Sequence, residues 1–282
     1  MLKGLSISTL SGDSLSLPIP SGGDGYLVTE IEGLDPVPVA FVSSTYAQLD
    51  GERYNSSRRE KRNIVLHIKL QKNWWATTVD ARRNRLYSLF VPSHEVLLTF
   101  DTPLHGFLAI NGRVESIETP MWTDEPMFVV SIICFDPIFR SATEVVNTFD
   151  FTGVGSSIER TLTYLGNIDA GVDISVVDWE TNATSTDMIR FMNKHGNNPE
   201  EQLFITGTLA QWDRVSLSTI PGRKHVTKTV GNGTSSSILN MLDLTESKWF
   251  KLGPGINTFK AWTTEYTGRK YNISYNNLYG GI

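Results

Sequence analysis

The sequence predicts a mainly β protein in two parts: a β-rich N-terminal part with one α-helix over residues 1–142, then a jelly-roll or galectin-like β-sandwich over residues 143–282. Three observations predict it. The 282-residue chain carries 23 glycines, 12 prolines and 10% aromatic residues, which fits many short strands joined by turns better than helices. Apolar and polar residues alternate with period two, most clearly at residues 63–70, where Ile64, Leu66, Ile68 and Leu70 fall on one face and Val65, His67 and Lys69 on the other. The run Trp249-Phe250-Lys251-Leu252-Gly253-Pro254-Gly255-Ile256-Asn257 places core bulk before a tight turn, because Pro presets φ and Gly accepts φ > 0; the strand pattern resumes at residues 258–262.

Residues 2–9 and 26–31 read as strands separated by the turn around Gly22-Gly23-Asp24-Gly25. Gly33-Leu34-Asp35-Pro36-Val37-Pro38 is a fixed connector, since each proline pushes its predecessor toward extended backbone. Residues 41–49 and 63–70 are further strands, and His67 is read as facing solvent or an interface rather than as a ligand. Residues 73–90 form the one helix: Asn73 caps it, and Trp75, Val79, Leu86 and Phe90 make an apolar stripe. Arg82, Arg83 and Arg85 sit toward its C-terminal half, where the macrodipole favours cations, and Pro92 stops it. Strands follow at 95–100, 106–110 and 113–117, the last two joined as a hairpin through Asn111-Gly112. After Pro120, residues 127–135 read as a strand buried on both faces, and Asp136-Pro137-Ile138-Phe139-Arg140 ends the first part.

From residue 143 the pattern changes to strands at 145–149, 160–164, 173–177, 203–207, 214–219, 224–229, 257–262 and 270–275, with no helix. Eight strands with turn signals between them make a sandwich.

Composition excludes several classes. A net charge of −5 and a pI near 5.6 give no support to phosphate neutralisation across the chain as a whole. The N-terminal 17 residues lack a signal-peptide apolar run, and no stretch approaches the roughly 20 apolar residues of a membrane-spanning helix. A single Cys134, set among apolar residues, excludes an intrachain disulfide and a cysteine zinc site and reads as a small buried hydrophobe. The triplets beginning at Asn55, Asn182, Asn232 and Asn272 match glycosylation acceptors, and without a secretory signal they read as coincidence. Gly153-Val154-Gly155 and Gly231-Asn232-Gly233 lack the third glycine of a dinucleotide loop, and there is no nucleophile elbow, Walker A loop or HExxH. His67, His94, His105, His195 and His225 are scattered without ligand spacing, so neither enzyme chemistry, metal nor cofactor is expected.

Three ordered stretches carry a resemblance. The first is Gly33-Leu34-Asp35-Pro36-Val37-Pro38-Val39, followed by Leu49-Asp50-Gly51 and an arginine-rich stretch. The second is Arg113-Val114-Glu115-Ser116-Ile117-Glu118 followed by an apolar strand closing on Cys134-Phe135-Asp136-Pro137. The third is Asp213-Arg214-Val215-Ser216-Leu217 with Gly222-Arg223-Lys224-His225-Val226, then residues 249–257. Together the chain resembles the siphovirus-type bacteriophage distal tail protein (Dit) family, the hexameric ring at the end of a long tail. The resemblance implies an N-terminal belt domain, a split-barrel-like sheet plus one helix, that closes six copies into a ring, and a galectin-like sandwich projecting outward. It implies a virion protein of the tail tip or baseplate, made in the bacterial host cytoplasm, whose partners are its own copies, the tail tube protein and the tail-tip hub protein. It implies no enzymatic activity, no membrane and no sequence-specific nucleic acid, with DNA passing through the lumen. The chain is longer than compact members of that family, mostly around residues 178–201. Contractile tails use related belt proteins, so the resemblance leaves the tail type open.

Two sets of residues are candidates for recognition. Between Arg53 and Arg85 stand ten basic residues (Arg53, Arg58, Arg59, Lys61, Arg62, Lys69, Lys72, Arg82, Arg83, Arg85) against Glu60 and Asp80, a surplus of eight. Arg53, Arg58, Arg59, Lys61 and Arg62 are expected to form a cationic loop that docks on the next subunit or the tail tube by arginine–carboxylate pairing; a DNA-facing patch and a plainly solvated face are the alternatives. Asp178, Trp179, Glu180 and Trp212 are the candidate saccharide-binding residues, and a glycan-binding module for host attachment is the rival reading of the whole chain. Trp249 and Trp262, in apolar alternation, are placed in the core.

Overall fold

The structure, a computed structural model, describes residues 2–47, 50–72, 75–119, 123, 125–151, 157–178, 186–209, 213–231, 233–263 and 269–282; at 150, 151, 177, 178, 186, 187, 208, 209 and 269 it describes the backbone alone. The chain divides into two compact units, Met1–Ala142 with Tyr279–Ile282, and Thr143–Leu278. The last four residues therefore join the first unit. Tyr279 is buried in its core and its ring lies 4.3 Å from that of His105, while the Ile282 amide donates to Leu34 O at 3.1 Å.

The first unit contains β1 (Gly4–Thr9), β2 (Ser14–Pro18), β3 (Tyr26–Glu32), β4 (Val39–Thr45), β5 (Glu52–Arg59), β6 (Arg62–Leu70), α1 (Val79–Leu89), β7 (Glu95–Thr102), β8 (Gly106–Glu118), β9 (Met127–Cys134) and β10 (Phe139–Ser141). An antiparallel sheet runs in the order β2-β1-β7-β8-β9-β6-β3, with β10 beside β8; β4 and β5 pair only with each other. The alternation of β6 has the expected consequence. Ile64, Leu66 and Ile68 are fully buried and lie opposite Ile132, Val130 and Phe128 of β9, and α1 adds Leu86, Leu89 and Phe90 to that cluster.

Several local expectations are corrected. The helix begins at Val79, where Thr78 caps it by accepting from the Ala81 amide at 3.2 Å; Asn73 lies outside the described residues. Trp75 precedes the helix and is 91% exposed, so it is no part of a buried stripe. No basic residue occupies the last turn, so the macrodipole does not account for the arginines. Asn111-Gly112 makes no turn: β8 runs unbroken through it, pairing Leu97 with Asn111 and Val96 with Gly112, and the chain reverses earlier, between Thr102 and Gly106. A glycine is needed there for space, because a Cβ on residue 112 would fall 2.4 Å from Ile132 Cγ2. On β9 only Phe128, Val130, Ile132 and Cys134 are buried; Val129, Ser131 and Ile133 are half-exposed, and Ser131 Oγ donates to Glu115 Oε2 at 2.7 Å.

The second unit contains β11 (Val145–Phe151), β12 (Ser157–Tyr164), β13 (Asp173–Asp178), β14 (Thr186–His195), β15 (Glu201–Leu209), β16 (Arg214–Ser218), β17 (His225–Thr229), β18 (Ser235–Ser237), β19 (Gly255–Thr263) and β20 (Arg269–Tyr275). Two sheets, β11-β20-β13-β16-β17-β18 and β12-β19-β14-β15, enclose one core. Ile174, Val176, Leu217, Tyr271 and Ile273 come from the first sheet, and Leu162, Ile189, Phe191, Leu203 and Phe259 from the second. The rings of Phe191 and Phe259 lie 6.2 Å apart, and Phe149 stacks on Phe259 at 5.7 Å. All eight strands read from the sequence are present. β14 is an unexpected addition: much of what reads as extra loop is a strand between β19 and β15, with Ile189, Phe191 and Asn193 turned inward.

Candidate functional site

The basic stretch separates into two structures. β4 and β5 form a two-stranded hairpin whose side chains are nearly all exposed. Cross-strand pairing sets Val39 against Arg59, Phe41 against Ser57 and, across a bulge, Ser43 against Tyr54. The bulge consumes Asn55 without a partner, and that one-residue slip turns Tyr54 onto the face of Phe41. The two rings meet edge-on at 6.3 Å, and the Tyr54 and Ser57 hydroxyls share a hydrogen bond of 2.9 Å. Phe41 is 72% and Tyr54 61% exposed. One face of the hairpin thus offers Val39, Phe41, Tyr54 and Arg59, while the other carries Val42, Arg53 and Arg58. Among the described residues no carboxylate lies within ion-pair range of Arg53, Arg58, Arg59 or Lys61.

Arg62, expected at the docking surface, is 1% exposed and cannot serve there. Its guanidinium donates to backbone carbonyls of four residues: Pro137 at 2.9 Å, Asp35 at 2.6 Å, and Gly33 and Gly280. The plane stands 4.4 Å from the Phe139 ring centroid. Burial lowers its pKa from the usual arginine value, and the four carbonyls with the aromatic face compensate the lost water. Arg82 makes a second clasp. It is 2% exposed and donates to Gly25 O at 2.7 Å and Gln71 O at 2.8 Å, holding the start of β3 and the end of β6 against α1. Arg85 reaches Ser14 O at 2.8 Å, and Lys69 pairs with Glu125 at 2.7 Å. Composition could not separate these roles. Residues 52–59 are polar throughout except Tyr54, so no apolar alternation marks them as a strand.

Of the saccharide candidates, Trp179, Glu180 and Trp212 lie outside the described residues, as does the side chain of Asp178. Trp249 and Trp262 are half-buried rather than core. Phe259 and Ala261 take the inward positions of β19, so Trp262 points outward beside Arg190, 5.8 Å from its ring. Glu30, Glu32 and His67 converge on the outer face of β3 and β6, their donor atoms within 4.8 Å of one another, with His67 Nε2 2.9 Å from Glu32 Oε1. Glu30 and Glu32 are exposed and His67 is half-buried, and the groups already satisfy each other in part. Cys134 is fully buried, and burial pushes its thiol up to about 12. No helix among the described residues is long and apolar enough to cross a membrane.

The β-rich unit with one α-helix among the described residues, followed by a galectin-like β-sandwich, is similar in fold to a phage distal tail protein. The Dit protein (gp 19.1) of phage SPP1, described as a paradigm of the hub adsorption apparatus in Gram-positive infecting phages, matches 97% of this chain and 98% of its own with a TM-score of 0.67 at 17% identity. The activated, calcium-containing baseplate of phage P2 follows at 10% identity over 97% of this chain and 98% of that one, with a TM-score of 0.42. A β-fructofuranosidase of Schwanniomyces occidentalis matches 94% of this chain and 62% of its own at 9% identity and a TM-score of 0.26. The last two likenesses are too loose to carry an argument. No family model and no curated protein matches the chain.

Proposed function

We propose that this chain is a structural virion protein that forms a ring at the distal end of a phage tail, joining the tail tube to the tail-tip or baseplate hub. The observation that carries the reading is the fold likeness to SPP1 Dit, which spans both units from end to end. The mechanism is geometric and needs no catalysis. Each N-terminal unit presents two different faces to its neighbours, and head-to-tail contacts close when the rotation does. A hairpin without a sheet of its own is marginal alone in water, so its exposed Phe41, Tyr54 and arginines fit a surface that a second copy covers. Arg53, Arg58, Arg59 and Lys61 supply bidentate and point charges toward carboxylates of that neighbour; six copies, by the resemblance, complete the ring.

Mass photometry and electron microscopy of the purified protein test this directly. A closed ring is expected, and the triple variant Arg53→Glu, Arg58→Glu, Arg59→Glu should remain a folded monomer that makes none. A wild-type protein that stays monomeric at every concentration, and leaves no ring density in purified virions, would sink the proposal.

A further inference from the structure

The sandwich contains a cleft of its own, apart from the hairpin. Its volume is about 390 Å³, and it is walled by Asn193 and His195 at the end of β14, Asn198 in the following turn, Glu201 at the start of β15, Asp169, and Trp249, Lys251 and Gly253. Distant parts of the chain are pinned together to make it. Ala170 and Leu252 exchange backbone hydrogen bonds of 3.0 and 2.8 Å, which ties the Asp169 loop to the segment after Trp249. Asn257 is fully buried; its carbonyl accepts the Gly253 amide at 3.0 Å and its Nδ2 donates to Gly253 O at 2.7 Å. His195 Nε2 donates to Pro254 O at 2.8 Å, and the imidazole packs so closely on Gly253 that a Cβ there would fall 2.4 Å from Nδ1. The Gly253-Pro254-Gly255 turn, with Gly255 at φ 93°, therefore frames a pocket as well as joining two parts of the chain.

Asn193 fixes the floor of the cleft. It is 3% exposed and its Nδ2 donates to Lys251 O at 3.0 Å, yet its Oδ1 has no partner. That oxygen is closed to a water-sized probe, so Asn193 braces the floor of the cleft through Lys251 rather than meeting a ligand. The groups in the wall define the ligand. Asn198, Asp169 and Glu201 offer amide and carboxylate oxygens, and Trp249 contributes a half-buried indole whose ring lies 5.4 Å from Lys224 Nζ. Asp169 and Glu201 outnumber Lys251 in the wall and disfavour a phosphate, and the polar wall opposes an apolar ligand. Hydroxyl donors on a ring with an apolar C–H face match both the acceptors and the indole. The volume lies at the lower end of small-ligand sites, roughly 300–1,000 Å³, enough for one or two sugar rings.

We propose that this cleft binds a saccharide of one or two pyranose units, with Trp249 as the stacking surface and Asn198, Asp169 and Glu201 accepting from its hydroxyls. It is separate from the residues around Asp178 and from Trp212. The probes are glucose, galactose, N-acetylglucosamine and their β-linked disaccharides, presented to the full chain in saturation-transfer NMR and titrated by calorimetry. At least one should bind with a dissociation constant of about 1 mM or tighter, in the range of a few hydrogen bonds and one stacked ring. Trp249→Ala should weaken it at least tenfold. Because Trp249 also packs against the core, the surface double variant Asn198→Ala, Glu201→Gln serves as the second arm, with an unchanged melting temperature and the same loss of affinity. No transfer from any probe, undiminished binding in the double variant, or binding that depends on Trp179 or Trp212 instead would each overturn the proposal.

Discussion

Lys61 and Arg62 are adjacent in sequence and belong to opposite regions of the first unit. Up to Lys61 the cations stand on a hairpin open to solvent on both faces. From Arg62 onward two arginines are enclosed and spend their donors on backbone carbonyls. The difference shows that a run of like charge along a chain is not a surface patch. A guanidinium has five donors in a fixed fork, so it can clasp several carbonyls where an ammonium cannot, and that is the role of Arg62 and Arg82. The connector Gly33-Leu34-Asp35 owes its position partly to this clasp, since Arg62 holds the carbonyls of Gly33 and Asp35 together with those of Pro137 and Gly280.

The largest effect that can break this comparison is Arg62→Ala. It leaves four carbonyls without their donor and an opened space against Phe139, so urea unfolding should show a loss of about 3–5 kcal/mol, as for other groups left unpaired by removing a buried charge. Arg62→Lys should recover only part of it. Arg82→Ala releases Gly25 and Gln71 and should cost about 2–3 kcal/mol in the same measurement. Gly112→Ala tests the enclosed region without touching charge; the clash with Ile132 should cost about 1–3 kcal/mol.

A pH titration sharpens the contrast further. The Cys134 thiol, paired in register with Arg62, is raised by burial from an ordinary 9.0 to about 12. The unfolded chain therefore loses that proton first, and stability falls as pH rises from 9 toward 12. At pH 10 the loss should be on the order of 1 kcal/mol and absent in Cys134→Ala. The folded protein should also resist thiol-reactive reagents at pH 8. The smallest effect belongs to the hairpin: the Arg53, Arg58, Arg59 reversal should move monomer stability by no more than about 0.5 kcal/mol while abolishing assembly. A stability loss comparable to that of Arg62→Ala would erase the distinction between the two regions.

Legibility in the sequence followed the range of the interactions. The inward face of β6 and eight sandwich strands were readable because period-two alternation is local. β5 and β14 were missed because exposed or polar-flanked strands do not show the apolar contrast. Asn111-Gly112 was misread as a turn; the dipeptide favours a reversal, but Gly112 is there to let Ile132 of β9 approach. The saccharide candidates chosen by proximity in sequence, Asp178-Trp179-Glu180, differ from the cleft that the fold assembles from residues 169, 193–201 and 249–253.

What the sequence determined by itself was the β class, the change of pattern near residue 143, the sandwich strands and the turn at Gly253-Pro254-Gly255. Each rests on residues a few positions apart, where backbone geometry and alternation act directly. Only the tertiary structure decided which arginines are surface and which are clasp, which face Tyr54 joins, and that Asn193 keeps an unpaired carbonyl beside Trp249. Burial and hydrogen-bond satisfaction depend on partners up to 218 positions away, as between Arg62 and Gly280, and no local pattern carries that information.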